Sequence, residues 1–198
     1  RALFSSKTTV LAEVLQNARR AGANAVHLDW DNGNLTVTDN GCGVSDFKAM
    51  ISVAESGWSE ATMISEQPFG IGFFSVSFAA EKVVVESKGR QISFSSEDLI
   101  AKQPIPIETS DFIGGTRITL HRCKLESDSI KTALLMYAKG FAIPVFWNDV
   151  ELPRPHALEN LTVFDTPVGQ LHIPRMAKGT NPIFDCGGTA YCQGLPVT

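Results

Sequence analysis

At 198 residues, 43% of them hydrophobic, the chain can bury one substantial core with room for a small second region, which excludes a mini-protein or a disordered tail. Its 17 basic and 21 acidic residues give a formal charge of −4, so there is no global electrostatic case for DNA or an anionic membrane. No run approaches the roughly 18 apolar residues of a membrane-spanning helix, and no signal-peptide pattern is visible, which predicts a cytoplasmic, intracellular setting.

The first predicted element is a helix over 8–21. Leu11, Val14, Leu15, Ala18 and Ala21 recur at intervals of three and four, the spacing of one buried stripe. Glu13, Asn17 and Arg20 fall on a separate stripe. Glu13 and Asn17 lie one turn apart, with roughly 6 Å between Cβ atoms, so both can serve one site. A carboxylate there can polarise water, and a side-chain carbonyl can be the protein's whole contribution to an octahedral Mg²⁺. Taken alone, the pair is equally well the wet side of an amphipathic helix.

Residues 25–31 alternate as a strand, Asn32-Gly33 signals a hairpin, and 35–38 form the returning strand. Asp39 then stands at a strand end, followed by Asn40-Gly41-Cys42-Gly43. An ionised carboxylate only accepts hydrogen bonds, which suits the amino group of adenine and not the carbonyl of guanine; the glycines allow a flat ligand to approach. Asp-Asn-Gly is also an ordinary turn.

Phe69-Gly70-Ile71-Gly72-Phe73-Phe74 leads into an apolar run over 73–80 that reads as a buried helix, at whose start a phosphate can sit. No Gly-x-x-x-x-Gly-Lys-Ser/Thr segment exists, which excludes a P-loop. Ser75 spoils a dinucleotide fingerprint. Further strands are predicted over 82–87 and 91–95, joined at Lys88-Gly89-Arg90, and over 116–121 after Gly114-Gly115. A helix over 127–139 and a strand over 143–147 with a turn at Asn148-Asp149 follow. Pro153 and Pro155 mark a break, and short strands separated by Pro, Gly and Asn run from Leu161 onward. The aromatics Phe141, Phe146, Trp147 and Phe164 read as core residues. Cys42, Cys123, Cys186 and Cys192 lack Cys-x-x-Cys pairs and read as reduced thiols, and the histidines complete no metal spacing.

The order and content of these segments resemble the GHKL superfamily of ATPases, which groups DNA gyrase, the ninety-kilodalton heat-shock chaperones, histidine kinases and MutL. The segment from Phe4 to the Glu13/Asn17 helix and the Phe69–Ser75 segment are similar to the chaperone branch; Ala21-Gly22-Ala23 and Asp39–Gly43 are similar to MutL. The resemblance implies an α+β fold, a two-layer sandwich of helices on a mixed, mostly antiparallel sheet of Bergerat type. It implies ATP (and ADP) with Mg²⁺ as ligands. Glu13 matches the catalytic base, Asn17 the Mg²⁺ ligand, Asp39 the adenine contact, Gly41 and Gly43 the glycines beneath the base, and Gly70, Gly72 and Phe73 the phosphate-side loop. Thr116 matches the threonine supporting the adenine-binding carboxylate, and Ala21 and Met50 line the pocket.

The ATP-binding domain would span 1–152 with a lid at about 44–68, and 153–198 would be an appended β region or the start of a transducer-like domain. Lid closure would drive conformational change or homodimerisation. Arg20 stands where relatives carry an acid, and Glu55 where chaperones carry a base. Arg154, Arg175 and Lys178 are available to reach the γ-phosphate, and hydrolysis in isolation would be slow. A non-hydrolysing ATP-gated module is the alternative; a histidine kinase domain is another, though its phospho-accepting helix is not in evidence. Whether the engine serves a protein client or DNA is not written in these motifs. The chain begins at Arg, as a fragment would.

Overall fold

A computed structural model describes residues 9–55, 76–166, 169–174, 191–192 and 195–196. Helix α1 (Thr9–Arg20) buries Val10, Leu11, Val14, Leu15 and Ala18 on one side. It ends on Gly22 at φ +72: Gly22 N–H donates to the Arg19 carbonyl and Ala23 N–H to that of Ala18. This double closure satisfies two carbonyls the helix would otherwise leave open, and it needs a left-handed residue at that position. Ala21 therefore stands just past the helix and is half-buried, not a member of its buried stripe.

Strands β1 (Val26–Asp31) and β2 (Asn34–Asp39) pair antiparallel through Asn32-Gly33, with φ of 46 and 81. Two left-handed residues twist a two-residue loop the same way as its strands. The device recurs at Lys88-Gly89, between β3 (Lys82–Ser87) and β4 (Arg90–Phe94). It recurs again at Asn148-Asp149, between β7 (Val145–Trp147) and β8 (Val150–Glu151). With β5 (Glu108–Thr109) and β6 (Thr116–His121), these make an eight-stranded sheet in the order β5-β4-β3-β6-β2-β1-β7-β8. Only β1 and β7 run parallel. The mixed, mostly antiparallel α+β expectation is met.

Alternation along the strands sends Leu28, Leu35, Val37, Val85, Ile92 and Leu120 into the core. Residues such as Asp29, Thr36 and Thr119 on the opposite face are half-buried. α1 and α4 (Ser127–Ala138) pack together over the apolar face, burying Leu11, Leu15, Ile130 and Leu134 completely or nearly so. Burying each such side chain stabilises by about 1.5–3 kcal/mol. The same alternation corrects one aromatic assignment. Phe141 and Trp147 are core, but Phe146, flanked by two core residues in β7, points to the open face and stacks on His27 at 4.4 Å. Phe164 is 50% exposed on β9 (Leu161–Thr166), which pairs with β10 (Gly169–Pro174) in a hairpin outside the main sheet.

In the predicted helix over 73–80, the described residues Val76–Phe78 are helical. Val76 and Ala80 are buried, whereas Phe78 is 42% exposed. A short helix the sequence reading lacked, α3 (Ser96–Ile100), is nucleated by a capping box: Ser95 Oγ accepts from Asp98 N–H while Asp98 Oδ2 accepts from Ser95 N–H at 2.7 Å. Residues after 152 remain tied to the main unit at first, with His156 N–H donating to the Lys139 carbonyl and Ala157 fully buried. A last pair, β11 (Tyr191–Cys192) and β12 (Leu195–Pro196), brings Leu195 against the core beside α4.

Candidate functional site

Three neighbouring strands finish at one end of the sheet. β2 ends on Asp39, β6 starts on Thr116 directly opposite it, and β3 ends on Ser87 one step beyond the Glu86–Arg117 pair. By strand parity all three side chains point toward the helical layer.

Asp39 Oδ1 accepts the Gly41 N–H at 2.8 Å, closing a tight turn. Thr116, directly opposite in β6, presents its hydroxyl and its N–H toward the same carboxylate and favours its charged form. Burial pushes the Asp39 carboxyl above its ordinary range, and these donors, Gly41 first, only partly offset it. A carboxylate has about four acceptor positions, so beside the Gly41 N–H it keeps capacity for a further donor. Asp39 is half-buried and remains reachable.

The backbone beneath it admits no side chains. A Cβ on Gly41 would lie 2.7 Å from Ala21 Cβ, and one on Gly115 would lie 2.5 Å from the Asp39 carbonyl and 2.7 Å from Gly41 N. Gly43, at φ +70, would place a Cβ 2.5 Å from Ser87 Oγ. Ser87, completely buried, donates to the Gly115 carbonyl and accepts the Val44 N–H at 2.9 Å. Asn40 turns the other way, its Oδ1 accepting the N–H groups of Asn24 and Ala25.

The Cys42 N–H donates to the Ala21 carbonyl at 2.8 Å, docking the C-terminal end of α1 on this turn. Asn17, whose carbonyl accepts the Ala21 N–H, is one turn back along α1, and Glu13 is another turn back. Both are half-buried. At 1.5 Å per residue they stand ~6 Å and ~12 Å from Ala21 along the helix axis.

The chain leaves Gly43 firmly attached. Arg90 donates to the Ser45 carbonyl at 2.9 Å and lies 5.4 Å over the Phe47 ring. Asp46 Oδ1 accepts from Lys48 and Ala49 N–H, starting helix α2 (Phe47–Glu55). Phe47 is buried, and Met50 and Val44 pack partly against the core. Residues 56–68 of the predicted lid, together with Gly70, Gly72, Phe73, Arg175 and Lys178, lie outside the described residues. Arg154 does not have a free guanidinium: it donates to the Phe141 carbonyl at 3.0 Å and pairs with Glu159 at 2.7 Å, so that reading is corrected.

Sequence reasoning missed Ser87 as part of this group and treated Gly115 only as part of a motif. A serine ending a strand carries no signal, whereas the double glycine before Thr116 did. Among the described residues no cluster of three His, Cys, Asp or Glu could hold a metal, and Cys42 and Cys123 are free thiols. No described helix is long and apolar enough to cross a membrane. A separate cleft of about 810 Å³ on the open face is lined by Glu86, Gln91, Phe112 and Arg117. Arg117 pairs there with Glu86 at 3.5 Å and stacks on Phe112, so its charge is already matched and Asp39 is not involved.

A family model described as histidine kinase-, DNA gyrase B- and HSP90-like ATPase matches residues 4–111. Similar proteins include the chaperone protein HtpG of Rickettsia massiliae, 26% identical over 162 residues, covering 67% of this chain and 26% of HtpG. The chloroplastic heat shock protein 90-5 of Arabidopsis thaliana is 28% identical over 152 residues, covering 61% of this chain and 19% of the relative. The endoplasmin homolog of Dictyostelium discoideum is 27% identical over 172 residues, covering 71% and 22%. The chain thus spans about a quarter of the length of these relatives.

Proposed function

The chain belongs to the histidine kinase-, DNA gyrase B- and HSP90-like ATPase family, and on that footing we propose that it binds ATP with Mg²⁺ and hydrolyses it slowly, as a chaperone-branch domain. The observation that carries the reading is Asp39: a half-buried carboxylate at a strand end, held by the Gly41 N–H with Thr116 opposite it, with acceptor capacity left and glycines on either side of it. Adenine presents one exocyclic amine and a flat ring, which is what such a shelf can take.

α1 leads away from that shelf, and a triphosphate extending along it would meet Asn17 first and Glu13 next. Asn17 offers a carbonyl oxygen as metal ligand. Bound Mg²⁺ would supply neutralisation of the phosphate charge. Glu13 would orient the attacking water and take its proton. Residues 44–68 would act as a lid rooted at Val44 and Phe47, with closure coupled to homodimerisation. The named relatives favour the chaperone branch over the MutL-like one. Free thiols at Cys42 and Cys123 fit an intracellular setting.

Two variants test the assignment. Glu13→Ala should lower turnover about 10²–10⁴-fold while ATP still binds, and Asp39→Asn should weaken binding roughly ten- to a hundred-fold. Equal turnover in wild type and Glu13→Ala would remove the proposed base, and ATP binding with no phosphate release by wild type would leave an ATP-gated module without hydrolysis.

A further inference from the structure

Resting on the reading of Asp39 as the adenine contact, we propose that Ser87 is a positioning residue for purine recognition, acting through the two backbone segments that flank Asp39. Its hydroxyl links the two segments to each other from a third strand. It donates to the Gly115 carbonyl, one residue before Thr116, and accepts from Val44 N–H, one residue after Gly43. Gly115 lies so close under Asp39 and Gly41 that no Cβ fits, and Gly43 has equally little room against Ser87. A shift at Ser87 therefore moves both the donors that set the Asp39 carboxylate and the glycine floor below it. The hydroxyl is completely buried, so water does not replace it without rearrangement. β3 is not adjacent to β2; β6 lies between them, and Ser87 reaches the Asp39 loop by bonding Gly115, at the start of β6, and Val44.

Among the described residues the hydrogen-bond partners of Ser87 are Gly115 and Val44, beside the Asp39 loop, so its removal has a distinctive signature. In the full-length protein, Ser87→Ala should weaken ATP, ADP and adenosine alike, each by roughly ten-fold, the size of one buried hydrogen bond. The preference for ATP over GTP should narrow by a similar factor. Ser87→Cys, which keeps a weak donor and acceptor in a similar volume, should recover part of the loss. A double-mutant cycle should be strongly non-additive for Ser87→Ala with Asp39→Asn and additive with Glu13→Ala. Calorimetric titration gives the affinities, and circular dichroism establishes that each variant is folded. Unchanged selectivity in folded Ser87→Ala and Ser87→Cys, with wild type binding ATP normally, would overturn the role of Ser87 and leave the site assignment standing. Absence of ATP binding by the wild-type protein would overturn both.

Discussion

Gly22 and Gly43 form a matched pair that separates backbone strain from steric crowding. Their φ angles are +72 and +70, but a Cβ on Gly22 meets nothing within 4 Å, whereas one on Gly43 falls 2.5 Å from Ser87 Oγ and 2.8 Å from the Gly115 carbonyl. Alanine in the left-handed region costs about 1–2 kcal/mol, less about 0.4–1 kcal/mol regained from a stiffer unfolded chain. Gly22→Ala should therefore destabilise by about 1 kcal/mol. At Gly43 neither near neighbour can swing away, because one is a fully buried side chain bonded on both sides and the other is backbone. Overpacking of this kind adds about 1–3 kcal/mol. Gly43→Ala should thus cost about 2–4 kcal/mol in equilibrium urea unfolding, read as a fall in midpoint at constant slope. Adding Ser87→Ala removes the nearest clash, so the double variant should lose less than the sum of the single losses. Equal losses at Gly22 and Gly43 would refute the crowding argument and the tight shelf that depends on it.

Two further outcomes follow from local features. Asp39 has a carboxyl raised above its ordinary value of 3.8, so the folded chain holds that proton more tightly than the unfolded chain. Its contribution to stability is full below that value and is lost as pH rises through the raised one, so the stability of wild type relative to Asp39→Asn should fall across that window and then level off. Urea midpoints at stepped pH check it, and a difference that grows with pH would contradict it. Asp149 occupies a left-handed position at φ 64 in the β7–β8 turn. Asp149→Gly should raise stability by about 0.5–1 kcal/mol and the melting temperature by roughly 1–4 °C, measured by calorimetry.

Much of this site was legible because its parts combine local signals. The period of α1 put Glu13 and Asn17 on one stripe, and Asn-Gly announced the hairpin that delivers Asp39 to a strand end. What escaped was long-range. Ser87 matters only because β6 brings Gly115 beside it, and no local pattern records that pairing. β5 and β8 are two residues each, too short for alternation to register, and α3 has five residues, too few for a helical period. Phe164 was misassigned, and Arg154 was counted among the available cations, for the same reason: a guanidinium's partner or an aromatic's cover is set by tertiary neighbours, not by its own segment.

The parallel pairing of β7 with β1 has a consequence during synthesis. Val26 to Leu28 stay an open strand edge until Val145 to Trp147 have been made, and Asp39 lacks Thr116 for much of the same interval. A nascent chain cut short before that point carries an unsealed, apolar ribbon able to recruit another like it. Until that three-residue strand arrives, the edge of β1 has to be kept from pairing with a neighbour's.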